Sequence, residues 1–172
     1  SQFIFIALHG GDGESGVLQK QFATQGVKYN GPNEQVSRLC IDKWETARFA
    51  RSLRIDGVET APAKLTEVSE LVKQKDLKDF WRALCRELHA RTIIVKPRAD
   101  GCSSGIVRLF SARDLSTYLK LVKSGAASIP KETFKNQNNI IEMPRGKVDE
   151  LLFEKFIETD QIRVKGNKLK HY

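Results

Sequence analysis

Apolar positions recur at two spacings along the chain, and the succession of the two predicts a mixed α/β fold. Phe3 to Leu8 is a continuous apolar run, which predicts a strand buried on both faces. After His9-Gly10-Gly11-Asp12-Gly13-Glu14-Ser15-Gly16, the residues Val17, Leu18, Phe22 and Ala23 fall at helical spacing up to Gly26. Val27 to Pro32 reads as a short strand closing on a turn, and Asn33 caps a helix carrying Val36, Leu39 and Cys40. Asp42-Lys43-Trp44-Glu45 has capping-box spacing, and Trp44, Ala47, Ala50 and Leu53 mark the buried face of the helix it opens. Val58 to Pro62 predicts a strand, followed by a polar stretch. Leu77, Phe80, Trp81, Leu84 and Leu88 form the stripe of an amphipathic helix ending before Arg91, with His89 as a cap or surface residue. Ser111-x-x-Asp114 opens another helix, with Leu115, Leu119 and Val122 inward and Gly125 near its stop. The polar residues 126–148 predict a mobile connector with a short strand at Ile140-Ile141, and Leu151 to Ile157 is the last strand. Beyond Asp160 the chain turns basic and loses its pattern.

The centre of this pattern is Thr92 to Phe110, TIIVKPRADGCSSGIVRLF. The run Thr92 to Val95 ends on Lys96-Pro97, a loop of small residues follows, and Ile106 to Phe110 leads out. A lysine at a strand end, next to residues that let backbone N–H groups approach an anion, suits a phosphate. The same wording fits an ordinary hairpin. The loop at 9–16 follows a strand and precedes a helix, where open α/β sheets place ligands, so His9 and Glu14 are candidates there; a turn with polar caps is the plainer reading. Lys43 sits in the first turn of its helix, unfavourably for the helix dipole, and either is exposed or faces an anion.

Composition narrows the classes. Hydrophobic content of 40% and charged content of 29% suit a globular domain with a core, and no apolar run approaches the roughly 20 residues of a membrane span. The first residues lack a basic n-region and a cleavage site, and the chain opens abruptly inside an apolar run, as if cut from something longer. Cys40, Cys85 and Cys102 form an odd set without C-x-x-C spacing, which favours a reducing compartment and argues against structural zinc. A net charge of +8 fits a nucleotide, a nucleic acid or an acidic partner, or a merely solvated basic surface. No recognition helix or aromatic stacking platform supports nucleic acid.

In order along the chain, ALHGGDGESG at 7–16, YNGP at 29–32, IDK at 41–43, VKPRADGCSSG at 95–105 and FEKFI at 153–157 resemble the D-alanine–D-alanine ligase family of the ATP-grasp superfamily. The EMP…ELLFEKFIETD wording is similar to plastid-type eukaryotic members. The resemblance implies a partial ATP-grasp architecture. Residues 1–42 would close an N-terminal α/β lobe, and 43–172 would form the small nucleotide-binding α+β subdomain, without the C-terminal catalytic part. It further implies ATP and Mg2+ as cofactors, and D-alanine or a related amino acid as substrate. It implies no nucleic acid or membrane partner, leaves a homodimer open, and places the protein in a bacterial cytoplasm or a plastid stroma. ATP phosphorylates the first carboxylate, and a second amine attacks the acyl phosphate. Lys43 and Lys96 match the phosphate-contacting lysines, and Ser103, Ser104 and Gly105 match a lid loop that excludes water. Glu154, Lys155 and Ile157 match the adenine-holding strand, and His9 and Glu14 match positions near the D-alanine.

The departures are specific. Cys102 stands where the family usually has a substrate-orienting serine, and cysteine is the poorer hydrogen bonder. Residues 13–16 read GESG where the family has GEDG, and Gln161 falls where an acid should hold the ATP ribose. The catalytic set is thus expected at His9, Glu14, Cys102 and Ser103. Nucleotide contacts are expected at Lys43, Lys96, Ser103, Ser104, Gly105, Glu154, Lys155, Ile157 and Gln161. The magnesium ligands and a phosphoryl-stabilising arginine are expected beyond the end of the chain, so an internal fragment without ligation activity of its own is the expectation. The rival reading is a degenerate module that binds a nucleotide or a partner without catalysis.

Overall fold

A four-stranded antiparallel sheet with helices on one face positions everything that follows. The computed structural model describes residues 2–159, 161–162 and 170–171. In chain order these are β1 (Phe3–Ile4), a 3-10 turn at Gly11–Gly13, α1 (Val17–Thr24), β2 (Lys28–Tyr29), α2 (Glu34–Ile41), α3 (Lys43–Ser52), β3 (Ala63–Glu67), α4 (Val68–Lys73) and α5 (Leu77–Glu87). Then follow β4 (Ile93–Pro97), β5 (Val107–Leu109), α6 (Ala112–Lys123), β6 (Ser128–Ile129), β7 (Ile141–Glu142), β8 (Glu150–Lys155), β9 (Gln161–Ile162) and β10 (Lys170–His171).

The main sheet has the order β3-β8-β4-β5, all pairs antiparallel. Alternation along its strands separates two faces. Ile93, Val95, Val107, Leu109, Leu151 and Phe153 point into a core completed by Leu71 of α4, Leu84 and Leu88 of α5, and Leu115, Tyr118 and Leu119 of α6. Each such side chain, when fully buried, contributes about 1.5–3 kcal/mol. The register places Ile94 opposite both Arg108 and Glu154, and Lys96 opposite Leu152, so these residues share the other face.

The predicted caps form. Asn33 Oδ1 accepts from the Val36 N–H, Asp42 Oδ1 from those of Trp44 and Glu45, and Ser111 Oγ from that of Asp114, whose carboxylate accepts in turn from the Phe110 N–H. The stripe of α5 is buried as its spacing requires, with Phe80 edge-on to Phe153. His89 follows α5 as an exposed residue at φ 48°.

Five expectations are corrected. The run from Phe3 to Leu8 forms only the two-residue β1, parallel to β2, and Phe3, Phe5 and Leu8 are exposed: its one partner strand offers an edge and no covering layer. No residue of α3 is fully buried, and Leu53 is exposed. The strand expected at Val58–Pro62 lies instead at Ala63–Glu67, because the β8 ladder pairs those residues; the polar stretch after it contains α4. Residues 126–148 are no mere connector, since β6 pairs with β7 and Ile129, Phe134 and Met143 enter the core. Finally, β8 begins at Glu150 and stops at Lys155, leaving Ile157 exposed.

Candidate functional site

Lys96 and Glu154 come from neighbouring strands and meet diagonally, Nζ to Oε2 at 2.6 Å, on the face away from the core helices. Each side chain is 18% exposed, so the pair is largely shielded from water. Lys43 arrives from the first turn of α3. Its Nζ donates to the Asp100 carbonyl at 2.7 Å, and its N–H donates to the Arg98 carbonyl at 3.1 Å. Lys43 is not simply exposed: it is half-buried against the loop after β4. Burial holds its pKa below 10.5, the neighbouring Lys96 charge lowers it further, and Asp100, Asp42 and Glu154 oppose both effects.

The 98–105 loop is tightly tied. Ser104 N–H donates to the Gly101 carbonyl and Gly105 N–H to the Glu142 carbonyl, so Cys102 and Ser103 are the loop's candidate donors for an anion. Both are exposed and left-handed, at φ 54° and 56°, a conformation that costs side-chain-bearing residues about 1 kcal/mol each and collects at functional loops. Gly105 is required by its setting. It has φ 66°, a Cβ there would lie 3.0 Å from Pro97 Cγ and 3.2 Å from the Tyr118 hydroxyl, and that hydroxyl donates to the Gly105 carbonyl at 2.7 Å. Burial pushes the Tyr118 pKa far up, so the donor stays protonated.

The two glycine loops touch. A Cβ on Gly101 would lie 3.1 Å from both Gly10 Cα and Glu14 Oε2, so a side chain there would push on the facing loop. His9 Nδ1 lies 3.2 Å from Glu14 Oε1, with the imidazole 90% exposed. An open cleft of about 720 Å3 is lined here by His9, Gly10, Arg98, Asp100, Cys102 and Arg145. A second cavity, about 670 Å3, opens at the opposite end of the strands, lined by Ile106, Arg108, Phe134, Lys135 and Phe156. There the Arg108 guanidinium lies 3.5 Å from the centre of the Phe156 ring and is held by Thr92 and Glu158. The Lys96–Glu154 pair sits on the sheet between these two ends.

The expected residues therefore gather in two groups: Lys96 and Glu154 on the sheet with Lys43 of α3 beside them, and His9, Glu14, Cys102 and Ser103 at the loops. Lys155 and Ile157 do not join them, because Lys155 pairs opposite Ile93 on the other face and both line a separate shallow cleft. Gln161 is placed by its backbone in β9, and its side chain lies outside the described residues. Arg98 was not expected. Its guanidinium meets Asp42, Glu45 and Glu150, and the one signal for it in the sequence is its position two residues after Lys96, just past the strand end. Among the described residues, no group of three or more His, Cys, Asp or Glu is placed to hold a metal ion, and no helix is long and apolar enough to cross a membrane.

No family profile matches the chain. It is 32% identical over 121 residues to D-alanine–D-alanine ligase A of Bacillus cereus, a match covering 70% of this chain and 36% of that protein. The chain thus spans about a third of the length of the curated relatives it matches. Its fold matches the D-alanine–D-alanine ligase of Coxiella burnetii with a TM-score of 0.66 at 18% identity, covering 94% of this chain and 39% of that one. It matches the Bacillus anthracis ligase complexed with ATP with a TM-score of 0.60 at 24% identity, covering 93% and 42%. These proteins are bacterial, and none supports the plastid-type likeness.

Proposed function

From a chain that matches D-alanine–D-alanine ligases in sequence, and their ATP-grasp structures in fold, over part of their length, we propose that it is the nucleotide-phosphate-binding portion of an ATP-dependent carboxylate–amine ligase making a peptidoglycan-type dipeptide precursor. The observation that carries this is the convergence of Lys43 and Lys96 from separate elements, with the 98–105 loop beside them. In this reading residues 1–42 belong to an N-terminal α/β lobe and 43–172 to the nucleotide-binding subdomain.

The residues fit a nucleotide by their chemistry. Two ammonium groups, one from the sheet and one from the start of α3, suit phosphates, because phosphoryl transfer is promoted mainly by positioning and charge neutralisation. An anion docking beside the half-buried Lys43 would favour its charged form. The cavity lined by Phe156 and Arg108 offers flat apolar and cationic surfaces to a base, while the opposite cleft offers His9, Glu14 and Cys102 to an amino acid. ATP, when bound, supplies the phosphoryl group that turns a carboxylate into an acyl phosphate, which an amine then attacks to expel inorganic phosphate. The described residues do not form a magnesium site, so none of the roles given to this chain runs through the metal.

Cys102 supports a second reading, binding without ligation, because an exposed thiol stands where a substrate-orienting hydroxyl is expected. Calorimetric titration of ATP into the chain and into Lys96→Ala tests the first reading. Binding by the parent and a loss of tenfold or more in the variant support it, and equal affinities, or no binding by the parent, overturn it. D-alanine-dependent phosphate release by the parent would exclude the second reading.

A further inference from the structure

The geometry assigns to Arg98 the role of a positioning residue that fixes the spacing between Lys43 and Lys96, an inference that rests on the nucleotide-binding reading above. An arginine next to a phosphate site would ordinarily be taken for a phosphate ligand. Here the guanidinium is already occupied. Nε donates to Asp42 Oδ2 at 2.8 Å, Nη1 to Glu150 Oε2 at 2.9 Å, and Nη2 lies 3.5 Å from Glu45 Oε1. The three carboxylates come from the cap of α3, its first turn and the start of β8.

The backbone of Arg98 makes the same connection. Its carbonyl accepts from the Lys43 N–H at 3.1 Å, and its N–H donates to the Glu150 carbonyl at 3.3 Å. Ala99 adds an isolated bridge to Asp42. Arg98 therefore sits between the sheet that carries Lys96 and the helix that carries Lys43. Asp42 divides its carboxylate, Oδ1 capping α3 and Oδ2 bonding Arg98, so the start of α3 is held at a fixed place over the sheet.

A second consequence is electrostatic. Asp42 is one of the charges facing Lys43, together with Asp100, Glu154 and Lys96. Glu45 and Glu150 border the same region. By engaging Asp42, Glu45 and Glu150, Arg98 offsets carboxylates that would otherwise repel an incoming phosphate and compete for the lysines.

Calorimetric binding of ADP, alongside NMR-detected binding of adenosine, tests this with Arg98→Lys and Asp42→Asn. Lysine keeps the charge but not the three-way fork, and asparagine keeps the helix cap but not the carboxylate. Both variants are expected to lose about tenfold in ADP affinity while adenosine binding stays within about twofold of the parent. A purely structural role would lower both ligands together, and that result overturns the proposal. Unchanged ADP affinity in both variants overturns it too, provided that Lys43→Ala and Lys96→Ala lose affinity. If the lysine variants also bind ADP like the parent, the nucleotide reading fails with it.

Discussion

Lys96 and Glu154 neutralise each other on the sheet face where a phosphate would dock, at 2.6 Å and largely out of water. An incoming anion must therefore compete with Glu154 for the ammonium. Removing the carboxylate should release the lysine, whereas removing the lysine should strand a shielded carboxylate.

Glu154→Gln is expected to bind inorganic tripolyphosphate more tightly than the parent by about fivefold, because one negative charge leaves and Lys96 is freed. Lys96→Ala is expected to lower unfolding stability by about 2 kcal/mol, the larger of the two stability losses. Calorimetry and urea titration measure both. A Glu154→Gln chain that binds tripolyphosphate more weakly would show that the carboxylate helps rather than competes.

Lys43 gives a pH signature. Its folded pKa lies below 10.5, so between the two values the unfolded chain binds more protons, and stability should rise as pH climbs through that window. Anion binding requires the charged form, so ADP affinity should fall over the same alkaline range. Lys43→Arg, which stays charged, should flatten the ADP profile. An identical profile in that variant would assign the titration to another group.

Gly105→Ala meets three constraints at once: the left-handed backbone, the Pro97 ring and the Tyr118 hydroxyl. A loss of about 2 kcal/mol is expected, and Tyr118→Phe should cost about 1 kcal/mol by leaving the Gly105 carbonyl unpaired. The two should not add, because both act on one contact. Thermal melts of the single and double variants read this directly, and simple additivity would contradict it.

Elements with strong periodic signals were legible in the sequence. The α5 stripe, the Asn33, Asp42 and Ser111 caps and the β4–β5 hairpin all follow from spacing and turn chemistry. The misses share a cause. Ala63–Glu67 has a weak pattern of its own and becomes a strand because β8 pairs with it. Phe134 and Met143 sit in a polar segment, where nothing local announces that they close the core. The apolar Phe3–Leu8 run says buried, yet burial depends on a covering layer that a single strand cannot specify. Within the site, the lysines were legible from their strand end and helix start, but the joining of Asp42, Glu45, Arg98 and Glu150 brings together residues up to 108 positions apart in numbering and is a product of tertiary structure.

The alternation along β4 makes that strand a two-sided ruler. From Ile93 to Pro97 it runs about 13 Å, with the Phe156 cavity near its start, Lys96 near its end and the His9 cleft beyond. One residue inserted or deleted before Lys96 would turn the lysine towards the core helices and bring a core side chain to the open face. The site is thus fixed by parity as much as by distance: within the strand a single step exchanges inside for outside.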